Sequence, residues 1–382
     1  MALSHRKTAA GSRGCGSCGE FRLGQRQLVS ILLASGTSYL PHVVGGLEVN
    51  THELALELNR RGVKTSVLSR LPLRRVDGAL RAAVNFLRGT DVSVDRQLGY
   101  DVYRSRKPWD SLDGLPLPRL VVVQNGKMVE IARAFARRGV PAIAYLHGLE
   151  FEMGRRRWTG SSGGLPFRAY IANSEFTAGR FRERFGIHAC VIPPVFRAER
   201  YRLAGDRRYV TFINPVAEKG VDVALAIAEQ CPDIPFRFVK GWPLGMRQAA
   251  LLKGRIHRLA NVELVERSDD MSPIYASTRV LLVPSQWEAE TWGRVASEAQ
   301  FSGIPVLASD RGALPETVGA GGAIIKYDAP ACTWATELRR MWSDDLYYQQ
   351  LQQAALAHSR RPELDFKQQI DAFLAVATRI AA

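Results

Sequence analysis

Residues 283–316 read VPSQWEAETWGRVASEAQFSGIPVLASDRGALPE. An apolar run closes at Pro284, a polar turn carries Glu290 and Gly293, an Ala-rich stretch stops at Gly303, and PVLASD forms a second apolar run. Two apolar runs joined by a helix are the repeating unit of a parallel sheet covered by crossover helices. If Trp292, Val295, Ala296 and Ala299 make the buried stripe of that helix, Glu298 lies about 100° off its centre, on a shoulder near the carboxyl ends of the strands. Glu290 then stands in the turn before it. A helix start at Gly293, with free N–H groups and a positive dipole end, suits a diphosphate, and a carboxylate such as Glu298 suits two ribose hydroxyls.

The same alternation extends outward in both directions. LVSILLAS (28–35), VKTSVLS, RLVVVQN, PAIAYLH and AYIAN read as strands, interleaved with helices such as 51–61, which Gly62 stops, and SEFTAGRFRERFG, which opens on a Ser cap. VIPPVFRAERYR breaks the pattern, and a second series follows: YVTFIN, VDVALAIAEQ, FRFVKG, VELVE, VLLVPS and GAIIKY. At 382 residues the chain exceeds one ordinary core. The reading is therefore α/β, two doubly wound domains over 28–195 and 196–360, facing each other across a deep cleft where such sheets bind ligands. Residues 1–27 form a basic, Gly- and Ser-rich leader. Residues 71–110 are the hardest to read, either a helix-loop insertion with acceptor contacts or a long surface connection.

The 283–316 stretch resembles the donor-binding motif of glycosyltransferase family 4, in which two Glu residues eight apart precede an Ala-rich helix, Gly-x-Pro-Val and a Gly-x-x-x-Glu loop. Here these are Glu290, Glu298, Gly303, Pro305, Val306 and the 312–316 turn. The resemblance implies the GT-B fold and a retaining glycosyltransferase that moves a sugar from a nucleotide-diphosphate donor to a glycan, lipid-linked or small-molecule acceptor. Glu290 is the expected catalytic carboxylate, orienting the donor sugar, and Gly293, Arg294, Val295 and Glu298 are expected at the donor. Lys219 and Gly220 match the family's diphosphate-gripping loop, but Asn214 stands where the family usually has Arg, and Arg294 or Arg311 are candidates to replace that charge. Gly45 and Gly46, between a strand and a helix, match the loop beside the acceptor and the donor phosphates. His147 matches a catalytic histidine near the transferred sugar, with Gly148 in place of the usual Asp. Asn173 and Ser174 resemble a helix start that serves as a cap. The terminal helix, 361–382, is expected to cross back onto the first domain.

Charge and composition narrow the alternatives. A net charge of +15 invites a nucleic-acid partner, yet the basic pairs are dispersed and no nucleic-acid motif accompanies them. Basic and apolar residues mixed in FRLGQRQL, LPLRRV and FEMGRRRWTG suit either an anionic membrane surface or a solvated basic face. No apolar run approaches the length of a membrane span, and residues 1–27 lack the apolar core of an export signal. Five scattered cysteines fit a reducing, cytoplasmic setting, with Cys15 and Cys18 as incidental thiols. No metal or other cofactor is expected, because cationic groups would neutralise the diphosphate and the Asp269–Asp270 pair reads as a helix cap. A sugar-nucleotide epimerase or hydrolase of the same fold and a catalytically silent donor-binding subunit are the rival readings. A dehydrogenase is disfavoured by the missing Gly-x-Gly-x-x-Gly.

Overall fold

The computed structural model describes residues 30–382 except 74–75, 111, 153–157, 161, 243 and 269, and only the backbone at 76, 77 and 86. Cys15, Cys18, the basic leader and Asp269 lie outside the described residues. So do FRLGQRQL, Arg74 and Arg75, and the arginines of FEMGRRRWTG.

The first lobe runs β1 (Ser30–Ser35), α1 (Gly46–Arg60), β2 (Lys64–Arg70), α2 (Val76–Leu87), β3 (Val92–Asp95), β4 (Val102–Ser105), β5 (Leu120–Asn125), α3 (Met128–Ala136), β6 (Ala142–Leu146), β7 (Ala169–Ala172), α4 (Glu175–Phe185) and β8 (Cys190–Val191). Its strands pair in the order β3-β4-β2-β1-β5-β6-β7-β8, and the β3–β4 pair is antiparallel. The second lobe runs β9 (Tyr209–Ile213), α5 (Val221–Gln230), β10 (Phe236–Val239), α6 (Met246–Ile256), β11 (Val262–Val265), α7 (Ser272–Ala276), β12 (Thr278–Val283), α8 (Arg294–Gln300), β13 (Val306–Ser309), α9 (Leu314–Val318), β14 (Gly322–Ile325), α10 (Ala331–Ser343) and α11 (Asp345–Ser359). Its sheet, β11-β10-β9-β12-β13-β14, is wholly parallel.

Strands covered on both faces should be continuously apolar. In β1, five of six residues are buried, and in β5 the first five are. Leu32 and Val121 pack under α3, while Ile31 and Val122 pack on the other face with Leu54 and Leu58 of α1. The second sheet is sandwiched likewise, with Phe212 and Trp334 on one face and Leu281 and Ala296 on the other.

Residues 71–110, read from sequence as a helix-loop insertion or a surface connection, fold as α2 and the β3–β4 hairpin, which extends the sheet at its edge. Sequence periodicity does not tell which side of a helix is buried, and in α2 the apolar residues Leu80, Val84 and Leu87 are the exposed ones.

The last helix, α12 (Phe366–Ala381), returns to the first lobe. Ile370, Phe373, Val376 and Ala377 lie at spacings that share one helical face and join the core of Ile31 and Leu54. Gln369 donates to the Pro194 carbonyl at 2.9 Å, and Arg61 pairs with Asp371 at 2.5 Å. Among the described residues, no helix is long and apolar enough to cross a membrane.

Candidate active site

In each sheet the strand order reverses direction between two neighbours, β1 and β5 in the first lobe and β9 and β12 in the second. The loops leaving these strands part there, opening a crevice at their carboxyl ends. The two crevices face each other and enclose a cleft of about 630 Å³. The turn after β12 brings Glu290 into this space, and the loop after β9 brings Lys219 to meet it. Lys219 Nζ lies 2.5 Å from Glu290 Oε2, and Ser285 Oγ donates to the same oxygen at 3.0 Å. Glu290 is only 6% exposed. Its backbone is held by the Ala313 N–H, 2.8 Å from the Glu290 carbonyl, so the 312–316 loop fixes the turn. Gly220 makes the loop's close approach feasible: its φ is +83°, and a side chain there would collide with the Pro284 carbonyl.

The Lys219 ammonium also sits 4.8 Å from the ring centre of Trp287 and 5.4 Å from that of Trp242. Two aromatic faces, a carboxylate and little solvent hold this cation in one place.

Asn214 lines the cleft in the left-handed region, φ +67°, and its Oδ1 accepts the Trp242 N–H at 2.8 Å. Asparagine tolerates this backbone far better than arginine does. The departure from the family's Arg thus has a local structural reason. Of the two candidate substitutes, only Arg294 is part of the cleft lining. Arg294 lines the cleft, but its Nη1 donates to the Val195 carbonyl at 3.1 Å, its Nε lies 3.3 Å from Glu298, and it stacks on Phe196. Arg311 stacks on Tyr327 outside the cleft lining.

Glu298 and Val295 line the cleft, as the helical shoulder position requires. Glu298 already receives the Tyr275 hydroxyl at 2.6 Å and the Tyr201 hydroxyl at 3.4 Å. A ribose would compete with these donors. Gly293 opens α8 with φ +74° and also lines the cleft.

Across the cleft, the Gly45–Gly46 loop departs from the expected anion-friendly turn. Neither glycine has positive φ. Their value is space: a Cβ on Gly45 would stand 2.7 Å from Glu48 Oε2, and one on Gly46 would stand 3.0 Å from Arg294 Cδ. The Glu48 carboxylate folds back to accept the N–H groups of Gly45 and its own residue, occupying the start of α1 itself. Burial pushes its pKa up to about 7 despite those bonds.

His147 follows β6 at the cleft wall, 4.0 Å from Tyr145 ring to ring, with Nε2 shut from solvent and without a partner among the described residues. Burial, reinforced by the Arg294 charge, lowers its pKa to about 3, so it is a neutral imidazole. Asn173 and Ser174 do more than one job. Ser174 caps α4 through the Thr177 N–H at 3.0 Å, and Asn173 reaches Thr291 of the other lobe at 3.0 Å. Thr291 in turn donates to the His147 carbonyl at 2.5 Å, and Glu316 accepts the Glu175 and Phe176 N–H groups at 3.0 and 3.1 Å. The lobes are therefore closed on each other directly beside Glu290.

Two family models match the chain: one described as "Glycosyltransferase Family 4" over residues 44–200 and one described as "Glycosyl transferases group 1" over 207–344. The chain belongs to the group 1, family 4 glycosyltransferases. A D-inositol 3-phosphate glycosyltransferase of Nocardiopsis dassonvillei is 29% identical over 221 residues, covering 50% of this chain and 51% of that one. One from Corynebacterium diphtheriae is 33% identical over 156 residues, 37% of this chain and 35% of that one. The matches span about half the length of these curated relatives or less. Among solved structures, HepE of Anabaena in complex with UDP superposes with a TM-score of 0.72 at 17% identity, covering 92% of this chain and 100% of that one. That likeness shows the GT-B fold.

Within this family member, sequence reasoning missed several cleft residues. Lys240 and Arg267 line the second-lobe wall just beyond β10 and β11, and Arg267 donates to the Val44 carbonyl across the cleft at 3.0 Å. Their position past strand ends was the available signal. Glu150, on the first-lobe wall, leaves Oε2 buried without a partner, and burial raises its pKa to about 7. Nothing in YLHGLE marked it.

Proposed function

We propose that this chain transfers a sugar, with retention of anomeric configuration, from a nucleotide-diphosphate donor to a hydroxyl of a glycan, lipid-linked or small-molecule acceptor. The observation that carries the reading is the Lys219–Glu290 pair, set 2.5 Å apart in the turn after β12 and facing the first lobe across the cleft. Charge developing on a departing diphosphate is stabilised by fixed positive groups in a water-poor site. Lys219, with Lys240 and Arg267 on the same wall, supplies such groups, and the mechanism requires no metal ion. Glu290, oriented by Lys219 and Ser285, accepts hydroxyls of the donor sugar and fixes the face from which the acceptor attacks. Neutral His147 supplies a hydrogen bond without adding charge. Among the described residues, the first-lobe wall has no Lys or Arg, which suits an acceptor whose bound part is an uncharged, hydroxyl-bearing group. HepE is solved with UDP and with UDP-glucose, which makes a uridine donor the first to try. Free thiols at Cys190, Cys231 and Cys332 suit a cytoplasmic setting.

Thermal melts with UDP-, GDP- and TDP-sugars test donor binding, since a ligand held by the native state raises the melting temperature by mass action. Incubation of the stabilising donor with candidate acceptors, followed by NMR of the new anomeric centre, tests the reaction. Stabilisation and a retained anomer are expected. Donor turnover to free nucleotide diphosphate without a glycosylated product would overturn transfer in favour of hydrolysis or epimerisation.

A further inference from the structure

The turn that carries Glu290 is completed by groups from the other lobe. Thr291, the next residue, is 5% exposed, and its hydroxyl bonds the ends of two neighbouring first-lobe strands, β6 and β7. It donates to the His147 carbonyl at 2.5 Å and accepts the Asn173 side-chain N–H at 3.0 Å. A hydroxyl has one proton to give, so its donor is committed to His147. The Asn173 amide is fixed in turn: its Oδ1 accepts the Thr177 hydroxyl at 3.0 Å, and the Ser174 and Thr177 hydroxyls lie 2.8 Å apart. Asn173, Ser174 and Thr177 are all buried, which strengthens each bond in the chain. Other contacts between the lobes, Arg180 to Glu288 and Arg267 to Val44, use the exposed Glu288 and Arg267, where water competes.

The same turn is tied to the first lobe by a second route. The Ala313 N–H bonds the Glu290 carbonyl at 2.8 Å, and Gly312, at φ +56°, packs so closely that a Cβ would stand 2.2 Å from that carbonyl. Glu316 ends this loop and accepts the first two N–H groups of α4, from Glu175 and Phe176, at 3.0 and 3.1 Å. Both routes therefore end at one place, the junction of β7 and α4.

We infer that Thr291 is a positioning residue: its hydroxyl, shared between the lobes, fixes Glu290 and His147 relative to one another, and Glu316 holds α4 in the register that lets it do so. Glu290 and His147 stand on different sheets, so no element of regular structure sets their separation. A misplacement of about 1 Å at a reacting centre costs on the order of a hundredfold in rate. The kinetic consequence rests on the transfer reading; the bridge between the lobes does not.

Thr291→Val and Thr291→Ser test it in the full chain. Valine keeps the shape and leaves the His147 carbonyl and the Asn173 amide unmatched, whereas serine keeps the hydroxyl. The probe is the nucleotide sugar that stabilises the wild type in thermal melts, and the rate is release of its nucleotide diphosphate. Thr291→Val should lower kcat about a hundredfold while the donor still raises the melting temperature, and Thr291→Ser should return kcat to within a few-fold of wild type. Glu316→Ala, at a half-buried site outside the turn, carries the same test where valine impairs folding, with kcat about tenfold lower. Small-angle scattering needs no substrate: Thr291→Val with Glu316→Ala should enlarge the radius of gyration as the lobes part, and Thr291→Ser should match the wild type. A wild type without turnover, with that enlargement intact, would support the bridge and defeat the transfer reading. Wild-type kcat in Thr291→Val, a serine variant as slow as the valine one, or a double variant as compact as the wild type would overturn the inference.

Discussion

On the second-lobe wall of the cleft, charges stand in fixed pairs: Lys219 with Glu290, Arg294 with Glu298. The facing wall of the first lobe offers carboxyls that burial keeps near neutrality, Glu48 and Glu150, beside the uncharged imidazole of His147. Under the proposed reaction, the difference teaches how one cleft would handle two substrates. A pre-paired cation keeps its position when an anion arrives, so it costs no reorganisation at the moment of bond breaking. In that reading, carboxyls that burial shifts up to about 7 and an uncharged imidazole hydrogen-bond a hydroxyl acceptor at less desolvation cost than fully ionised groups would.

Breaking the paired wall should have the largest effect. Glu290→Ala is expected to lower kcat by about a thousandfold, while donor stabilisation in a thermal melt persists. The fold should survive at a cost of about 1–3 kcal/mol, because Lys219 loses its carboxylate in a mostly buried site. Turnover within a few-fold of wild type would mean that the pair is structural.

The neutral wall should reveal itself through pH. Unfolded, the Glu48 carboxyl titrates near 4.5; in the fold it titrates near 7. Between those values the folded state holds the additional proton, so this stability is fully present below about 4.5 and is lost as pH rises through 7. Glu48→Gln should flatten that decline, by about 1–3 kcal/mol between pH 5 and 8 in denaturant melts. Parallel pH profiles for variant and wild type would show that Glu48 does not titrate in this window.

Asn214→Arg sharpens the comparison at its weakest point. Placing Arg at φ +67° and removing the acceptor of the Trp242 N–H should cost about 1–2 kcal/mol of stability and leave donor affinity no better. Donor binding tightened tenfold would show instead that the wall lacks a cation it could use.

The family and its frame were legible because they rest on local pattern. Apolar runs covered by helices, Gly303, Pro305 and the Glu290–Glu298 spacing are set by strand and helix periodicity, which neighbours in sequence determine. The positions of Lys219 and Asn214 followed from the same frame. Which partner each side chain takes was settled by residues far away in the chain. Arg294 is held by Val195, Glu298 by Tyr201 and Tyr275, and the glycine loop by Glu48 folding back onto the Gly45 N–H.

Sequence by itself determined that two doubly wound lobes form and that acids and a lysine gather where their strands end. Tertiary structure alone decided which of these groups are already paired, which carboxyls burial shifts up to about 7, and which way α2 faces. The physical reason is range: periodicity is fixed within a few residues, whereas desolvation and pairing depend on what the opposite lobe brings within a few ångströms.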